Sequence, residues 1–295
     1  MAGYDALAVV RETFAEASAA LGQDLWTLVT DGPDEALNQT VNTQPVMLAA
    51  DVAVYRAWRA AGGAQGALLA GHSLGEYAAL VASGALAFAD ALPLVRFRAQ
   101  AMQDAVPAGV GAMAAVMGLE EAGIAEACRE AAQGQVVEPV NFNAPGQIVI
   151  AGNREAVERA IAVAKAKGAK RALLLPVSAP FHSQLMKPAA ERLSAYLAQV
   201  RVDMPAVPVL HNVDVRAAAS PEEIRLALAH QAASPVRWIE TIQAFAAQGV
   251  THIVECGPGK VLTGLAKRIA PDVEALPLND AEAIATAMAA TREGS

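Results

Sequence analysis

The chain has 295 residues, 54% of them hydrophobic and only 4% aromatic, and carries a formal net charge of −8. That is enough apolar chain for one large domain or two modest ones, and the acidic balance argues against broad nucleic-acid binding, which needs a basic face, while leaving room for a local basic patch. The start, Met1-Ala2-Gly3-Tyr4-Asp5, has neither the basic residues nor the apolar run of a secretory leader, and no uninterrupted apolar span of membrane length follows, so a cytoplasmic protein is expected.

Apolar positions at helical spacing predict a helix over 4–22. Gly32-Pro33 lies in the loop after it. Thr43-Gln44-Pro45 opens a second helix, Val46 to Ala61, which Gly62-Gly63 ends. A strand at 67–70 meets Gly71-His72-Ser73-Leu74-Gly75, and helices follow over 74–83 and from Phe88 to Ala105. Pro107-Ala108-Gly109 reads as a linker. After it come a strand at 111–117, a helix from Glu120 to Gln133, two strands at 139–143 and 147–151 around the hairpin signal Ala144-Pro145-Gly146, a helix from Arg154 to Lys167 and a strand from Arg171 to Val177. The order β-α-β-β-α-β is that of a ferredoxin-like unit. It predicts a small domain over 108–178 inserted into a large α/β domain made of 1–107 and 179–295. The large domain resumes with helices at 186–197, 221–232 and 236–248, strands at 207–210 and 252–255, a helix from Lys260 and a last helix from Asp280.

Strand, Gly-x-Ser-x-Gly, helix is the pattern of a nucleophile elbow. Glycines remove side chains that would clash in a sharp turn, and the Ser73 hydroxyl is left at a helix N-terminus, where backbone N–H groups can stabilise an oxyanion. A serine turn that merely caps a helix has the same five residues. A serine nucleophile needs a base, and the histidines are His72, His182, His211, His230 and His252. His72 adjoins Ser73 and neighbours on a turn diverge, so it reads as structural. His252 starts a strand and reads as a surface or packing residue. His182 sits in the Pro-bracketed loop Pro176-Val177-Ser178-Ala179-Pro180-Phe181-His182-Ser183, at a strand end where α/β proteins place sites. A base and a structural loop histidine both fit it.

Arg96 and Arg98 flank the apolar stripe Leu92, Val95, Ala99, Met102. A guanidinium there would suit a bidentate carboxylate, but spacing chooses neither between the two arginines nor against solvation or pairing with an acid such as Asp104. Cys128 and Cys256 form no CxxC pair. Cys128 reads as a buried bystander, and nothing near Cys256 would activate it. Gly257-Pro258-Gly259-Lys260 lacks the GxxxxGK[ST] spacing of a phosphate loop and reads as a tight strand-to-helix turn. No metal site is expected.

Taken together these segments resemble bacterial malonyl-CoA:acyl carrier protein transacylases of type II fatty acid synthesis. The resemblance runs from about Val10 to the end. It is carried by Ala70-Gly71-His72-Ser73-Leu74-Gly75-Glu76-Tyr77, Arg98 with Met102-Gln103, Pro139-Val140-Asn141-Phe142-Asn143, Val177 through Met186, Asn212-Val213-Asp214, and Glu255-Cys256-Gly257-Pro258-Gly259-Lys260-Val261-Leu262. It implies a hydrolase-like parallel-sheet core with the inserted ferredoxin-like domain, and a malonyl group passed from coenzyme A to the phosphopantetheine thiol of acyl carrier protein through a seryl ester. It makes Ser73 the acylated residue and His182 the general base and then acid. Leu74 contributes an oxyanion-hole N–H, Arg98 pairs with the malonyl carboxylate, and the backbone carbonyl of Gln231 orients His182 in a dyad without an acid. Gln44 and Asn143 are further pocket candidates. Malonyl-CoA is a substrate, no cofactor is bound permanently, and a monomer is expected. Lys170, Arg171, Lys187, Lys260, Lys267 and Arg268 are candidates for the surface that meets the acidic carrier protein, or ordinary solvated charges.

The family opens with a strand and a Gly-Gln-Gly-Ser-Gln loop that this sequence does not contain. The expectation is a chain less stable and slower than a form that has them. Three other readings stand beside the transferase: an α/β-hydrolase esterase, against which the mid-chain place of His182 counts; a non-catalytic carrier-binding form; and an acyltransferase for another carboxylated extender unit.

Overall fold

The computed structural model describes residues 3, 4, 6–177 and 179–293. Met1, Ala2 and Asp5 of the N-terminal stretch, Ser178 of the loop carrying His182, and the last two residues lie outside the described residues. Helix α1 (Ala8–Leu21) buries Val10, Phe14 and Ala17, positions three and four apart. It ends at Gly22, whose φ of 62° only glycine holds without strain. Two short helices, α2 (Leu25–Asp31) and α3 (Asp34–Leu37), follow where no helix is predicted. They are too short to show a period, and α2 is fixed by its cap, the Asp24 carboxylate accepting from the Thr27 N–H at 3.0 Å. Helix α4 (Thr40–Ala60) starts six residues before the predicted Val46 and takes Pro45 inside it. The ring sits in the second turn and removes a single backbone hydrogen bond, which the long buried face of α4 outweighs.

The chain continues through β1 (Leu69–Ala70), α5 (Gly75–Ala82) and α6 (Phe88–Asp104). Then come β2 (Gly111–Met117), α7 (Glu121–Ala132), β3 (Val137–Ala144), β4 (Gln147–Asn153), α8 (Arg154–Ala166) and β5 (Arg171–Leu174). These four strands form one antiparallel sheet in the order β3-β4-β2-β5. Alternation along β2 and β4 sends Ala112, Ala114, Val116, Ile148 and Ile150 to the face that α7 and α8 cover. Met113, Val149 and Ala151 take the other face and pack with Leu175, Val177 and Phe181, beside His182. Backbone hydrogen bonds from Phe142 N–H to Val236 C=O at 3.0 Å and from Val236 N–H to Val140 C=O at 2.8 Å tie this sheet to the rest of the molecule.

Helix α9 (Lys187–Leu197), β6 (Val209–Leu210), α10 (Pro221–Gln231), α11 (Trp238–Ala247), β7 (His252–Glu255), α12 (Val261–Ile269), β8 (Glu274–Pro277) and α13 (Ala281–Glu293) complete the order. Strand β8, four residues ending in proline, is not predicted from the sequence. The fold is α/β with parallel strands, but they form two separate pairs, β1 with β6 and β7 with β8, rather than one predicted sheet. Leu69 N–H donates to Pro208 C=O, so alternation turns the peptide groups of Leu68 and Ala70 away from β6. Glu274 N–H and Leu278 N–H reach Thr251 and Glu255 C=O, so His252 and Val254 likewise turn away from β8. Residues 68–70 and 252–254 line one cleft of about 1270 Å³, which continues past Ser73 and His182.

Candidate active site

Ser73 stands between β1 and α5 with φ of 52°, a conformation L side chains rarely adopt. The turn explains one flanking glycine and not the other. A Cβ on Gly71 would lie 1.9 Å from the Gly75 carbonyl carbon, so no larger residue fits. A Cβ on Gly75 would meet nothing within 4 Å; that glycine avoids no clash and leaves space open above the helix end. The Ser73 N–H donates to Asn212 Oδ1 at 2.8 Å, Asn212 Nδ2 donates to Gly71 C=O at 2.7 Å, and Gln231 Nε2 donates to Ser73 C=O at 2.9 Å. Both peptide groups of the strained residue are therefore held by side chains. The Leu74 N–H, at the start of α5, has no internal acceptor among the described residues, as an oxyanion donor requires.

His182 Nε2 lies 2.7 Å from Ser73 Oγ, and Nδ1 lies 2.8 Å from the Gln231 backbone carbonyl. A carbonyl only accepts, so Nδ1 carries the proton and Nε2 presents its lone pair to the serine hydroxyl. Burial, and then the charge of Arg98, lower the His182 pKa to about 3, so the free site holds a neutral imidazole. With His182 as the general base, acid would remove activity only below the ordinary histidine value of 6.5. The pH profile of kcat/KM is expected to show its acid limb well under that value. A carboxylate brought to Arg98 offsets the second cause, so the limb in kcat should lie at higher pH than the limb in kcat/KM. A kcat/KM limb at about 6.5 contradicts this.

Arg98, on α6, is the largest fully buried side chain, at 2% exposure. Nη1 donates to Gln44 Oε1 at 2.8 Å, and Nη2 donates to Gln231 Oε1 at 2.9 Å and to Ser73 Oγ at 3.1 Å. None of these acceptors is a carboxylate, and the buried Nε has no partner among the described residues. Burial lowers the Arg98 pKa, against the opposing effects of Tyr77 and Glu76; guanidinium stays charged regardless. Arg96 instead reaches Gln23 Oε1, and Asp104 pairs with Arg192 at 2.9 Å. The two arginines that spacing left equivalent are thus separated by where α6 turns them.

The other candidates take quieter places. His72 Nε2 lies 2.8 Å from Asn143 Oδ1, and its ring meets Trp238 edge-on at 5.5 Å. Burial lowers its basicity, in keeping with a structural role. Asn143, proposed from the sequence for the pocket, holds His72 and does not line the cleft; Asn141, two residues earlier on the same strand, does. Burial pushes the Cys128 and Cys256 thiols up to about 12, so neither is a nucleophile. The Glu255 carboxylate accepts from the Leu262 and Thr263 N–H groups, which fills the N-terminus of α12 and leaves Gly257-Pro258-Gly259 a turn. His252 bonds Thr251 and lies 3.4 Å from Glu274. His230 is exposed, whereas His211 is buried against Glu76. Sequence reasoning gave no separate role to Glu76, His211 or Asn212; a glutamate on the buried face of an apolar helix is the one local signal there was.

The sequence profile described as Acyl transferase domain matches residues 4–286. The malonyl CoA-acyl carrier protein transacylase of Escherichia coli (strain K12) is 58% identical over 280 residues, covering 95% of this chain and 91% of that protein. The protein of the same name from Bacillus subtilis (strain 168) is 42% identical over 291 residues, covering 98% and 92%. This chain belongs to the malonyl CoA-acyl carrier protein transacylase family. A crystal structure of a family member, an acyl-carrier-protein S-malonyltransferase from Burkholderia pseudomallei 1710b, superposes with a TM-score of 0.96 at 57% identity, covering 97% of this chain and 94% of that one. A malonyl-transacylase in complex with a type II PKS acyl-carrier protein gives 0.96 at 53% identity, covering 97% and 93%.

Proposed function

We propose that this chain transfers a malonyl group from coenzyme A to the phosphopantetheine thiol of acyl carrier protein, by way of an ester on Ser73. The observation that carries it is Arg98, a buried cation bonded, among the described residues, only to neutral oxygens and 3.1 Å from the nucleophile. Ser73 Oγ attacks the thioester carbonyl while its proton passes to His182 Nε2. The oxyanion forms against the Leu74 N–H. Collapse breaks the C–S bond, and the departing thiol takes the proton from His182. The carrier thiol then enters and the same steps run in reverse, which suits an exchange between two thioesters of similar energy. Gln231 C=O fixes the imidazole throughout, and no acid among the described residues completes a triad. Apolar Met102, Met113, Leu175 and Phe181 on the cleft wall disfavour water as the second nucleophile. Malonyl-CoA is expected to leave one ester, on the peptide containing Ser73, that holo carrier protein discharges. Mass spectrometry reads this, and transfer with no ester on Ser73 would defeat the proposal.

The finer architecture belongs to the same reading. Residues 108–178 act as a ferredoxin-like domain inserted into a hydrolase-like one. The strand order and the placement of α7 and α8 on one face support this. Lys170, Arg171, Lys187, Lys260 and Lys267 are exposed and Arg268 bonds Gln147 and Pro145; these six are the cations offered to an acidic carrier protein. The net charge of −8 counts against broad nucleic-acid binding, and among the described residues no helix is long and apolar enough to cross a membrane; a cytoplasmic monomer that binds neither nucleic acid nor membrane is part of the same proposal.

A further inference from the structure

We infer that Glu76 is the positioning residue of the site, a carboxylate that sets nucleophile, base and arginine together without touching any reacting atom. The inference rests on the reading of Ser73 as the acylated residue. Glu76 lies in the first turn of α5, fully buried, at 0% exposure. Its Oε1 accepts from His211 Nδ1 at 2.7 Å, and its Oε2 accepts from the Asn212 N–H at 3.0 Å and from Gln231 Nε2 at 2.9 Å. Two of the three partners, Asn212 and Gln231, then reach the chemistry. Asn212 closes on the Ser73 N–H and the Gly71 carbonyl. The Gln231 side chain spans from Ser73 C=O to Arg98 Nη2, and its backbone carbonyl orients His182.

The left-handed backbone of Ser73 persists only where its surroundings over-determine it, and here the determinants converge on one carboxylate. The same contact fixes which way the Gln231 amide faces. With Nε2 turned to Glu76, Oε1 must face Arg98. Glu76 has a plainer reading, as an acid in the first turn of a helix that favours negative charge there. That reading depends on charge, whereas positioning depends on reach.

Two conservative variants separate them. Glu76→Gln keeps reach and loses charge: its Oε1 can accept from Asn212 and Gln231, while its amide donates to His211 Nδ1 once that imidazole carries its proton on Nε2. Glu76→Asp keeps charge and loses one methylene of reach, so it cannot hold Asn212 and Gln231 at once. Displacements near 1 Å in a catalytic constellation cost about 10²-fold in rate. The expected result is kcat within about tenfold of the unaltered protein for Glu76→Gln and lower by about 10²-fold for Glu76→Asp, each per folded molecule by circular dichroism, with KM for malonyl-CoA changed less than about threefold in both. A merely structural glutamate would lower Tm and leave kcat per folded molecule alone. Equal kcat values, or Glu76→Asp faster than Glu76→Gln, overturn the inference. If Glu76→Asp does not fold, Asn212→Ala decides: a fall in kcat of about tenfold or more at unchanged KM supports it, and unchanged kcat overturns it. Absence of the malonyl ester on Ser73 in the unaltered protein would instead sink the reading beneath it.

Discussion

Ser73→Ala is expected to remove malonyl transfer by on the order of 10⁶-fold in kcat, the scale on which a serine nucleophile fails when its hydroxyl is gone. His182→Ala should cost nearly as much, and the double variant little more than either. The reason is geometric. With Oγ 2.7 Å from Nε2 and Nδ1 anchored on a carbonyl, the imidazole has no task except with that hydroxyl, so the two act as one unit and their losses do not add. The folded core should be spared, since among the described residues Ser73 Oγ hydrogen-bonds only His182 and Arg98. Stopped-flow release of coenzyme A and transfer to holo carrier protein measure the effect. A double variant slower than each single one by the product of their losses would show that serine and histidine act separately, and transfer surviving in Ser73→Ala would remove Ser73 from the reaction.

What could be read from the sequence follows how local each determinant is. The elbow was legible because its cause is local: Gly71 is crowded by backbone four residues on, and strand and helix follow from adjacent residues. The antiparallel sheet was legible because β2 is a seven-residue apolar run and β3 and β4 flank the local turn signal Ala144-Pro145-Gly146. The pairing of β1 with β6 was not, since each strand has two residues and the partners are 140 positions apart, Leu69 against Val209. The site divides the same way. Ser73 stood out by pattern and His182 by its loop, but Arg98 and Gln231 came from family resemblance. Buried polar networks have no period: Gln44, Arg98, Asn212 and Gln231 come together only through the packing of α4, α6, α10 and the segment after β6 around the elbow. Glu76 is marked locally only by its place on an apolar helix; its partners lie some 135 to 155 positions away and become neighbours only in the fold.

Arg98→Leu is expected to lower kcat/KM for malonyl-CoA by about 10²–10⁴ while leaving acetyl-CoA unharmed or improved. Loss of one partner from a buried charge pair costs about 3–5 kcal/mol, and each 1.4 kcal/mol is a factor of ten. The acetyl arm carries the sharper argument. In the free site Arg98 Nη2 donates to Ser73 Oγ and its charge lowers the basicity of His182, so the cation restrains both nucleophile and base. On the proposed reading a malonyl carboxylate would take up that guanidinium and release them; an acetyl group could not, and would leave the cation unpaired and the serine engaged. Selectivity then arises in kcat as well as in binding, because the right substrate removes the restraint on its own acylation. In Arg98→Leu the restraint is absent for both substrates, so the malonyl-to-acetyl ratio should fall by more than the malonyl loss alone. Competition between the two thioesters for one limiting carrier protein reads that ratio directly. An acetyl rate that falls in step with the malonyl rate would show Arg98 to be a scaffold for the site rather than its selector.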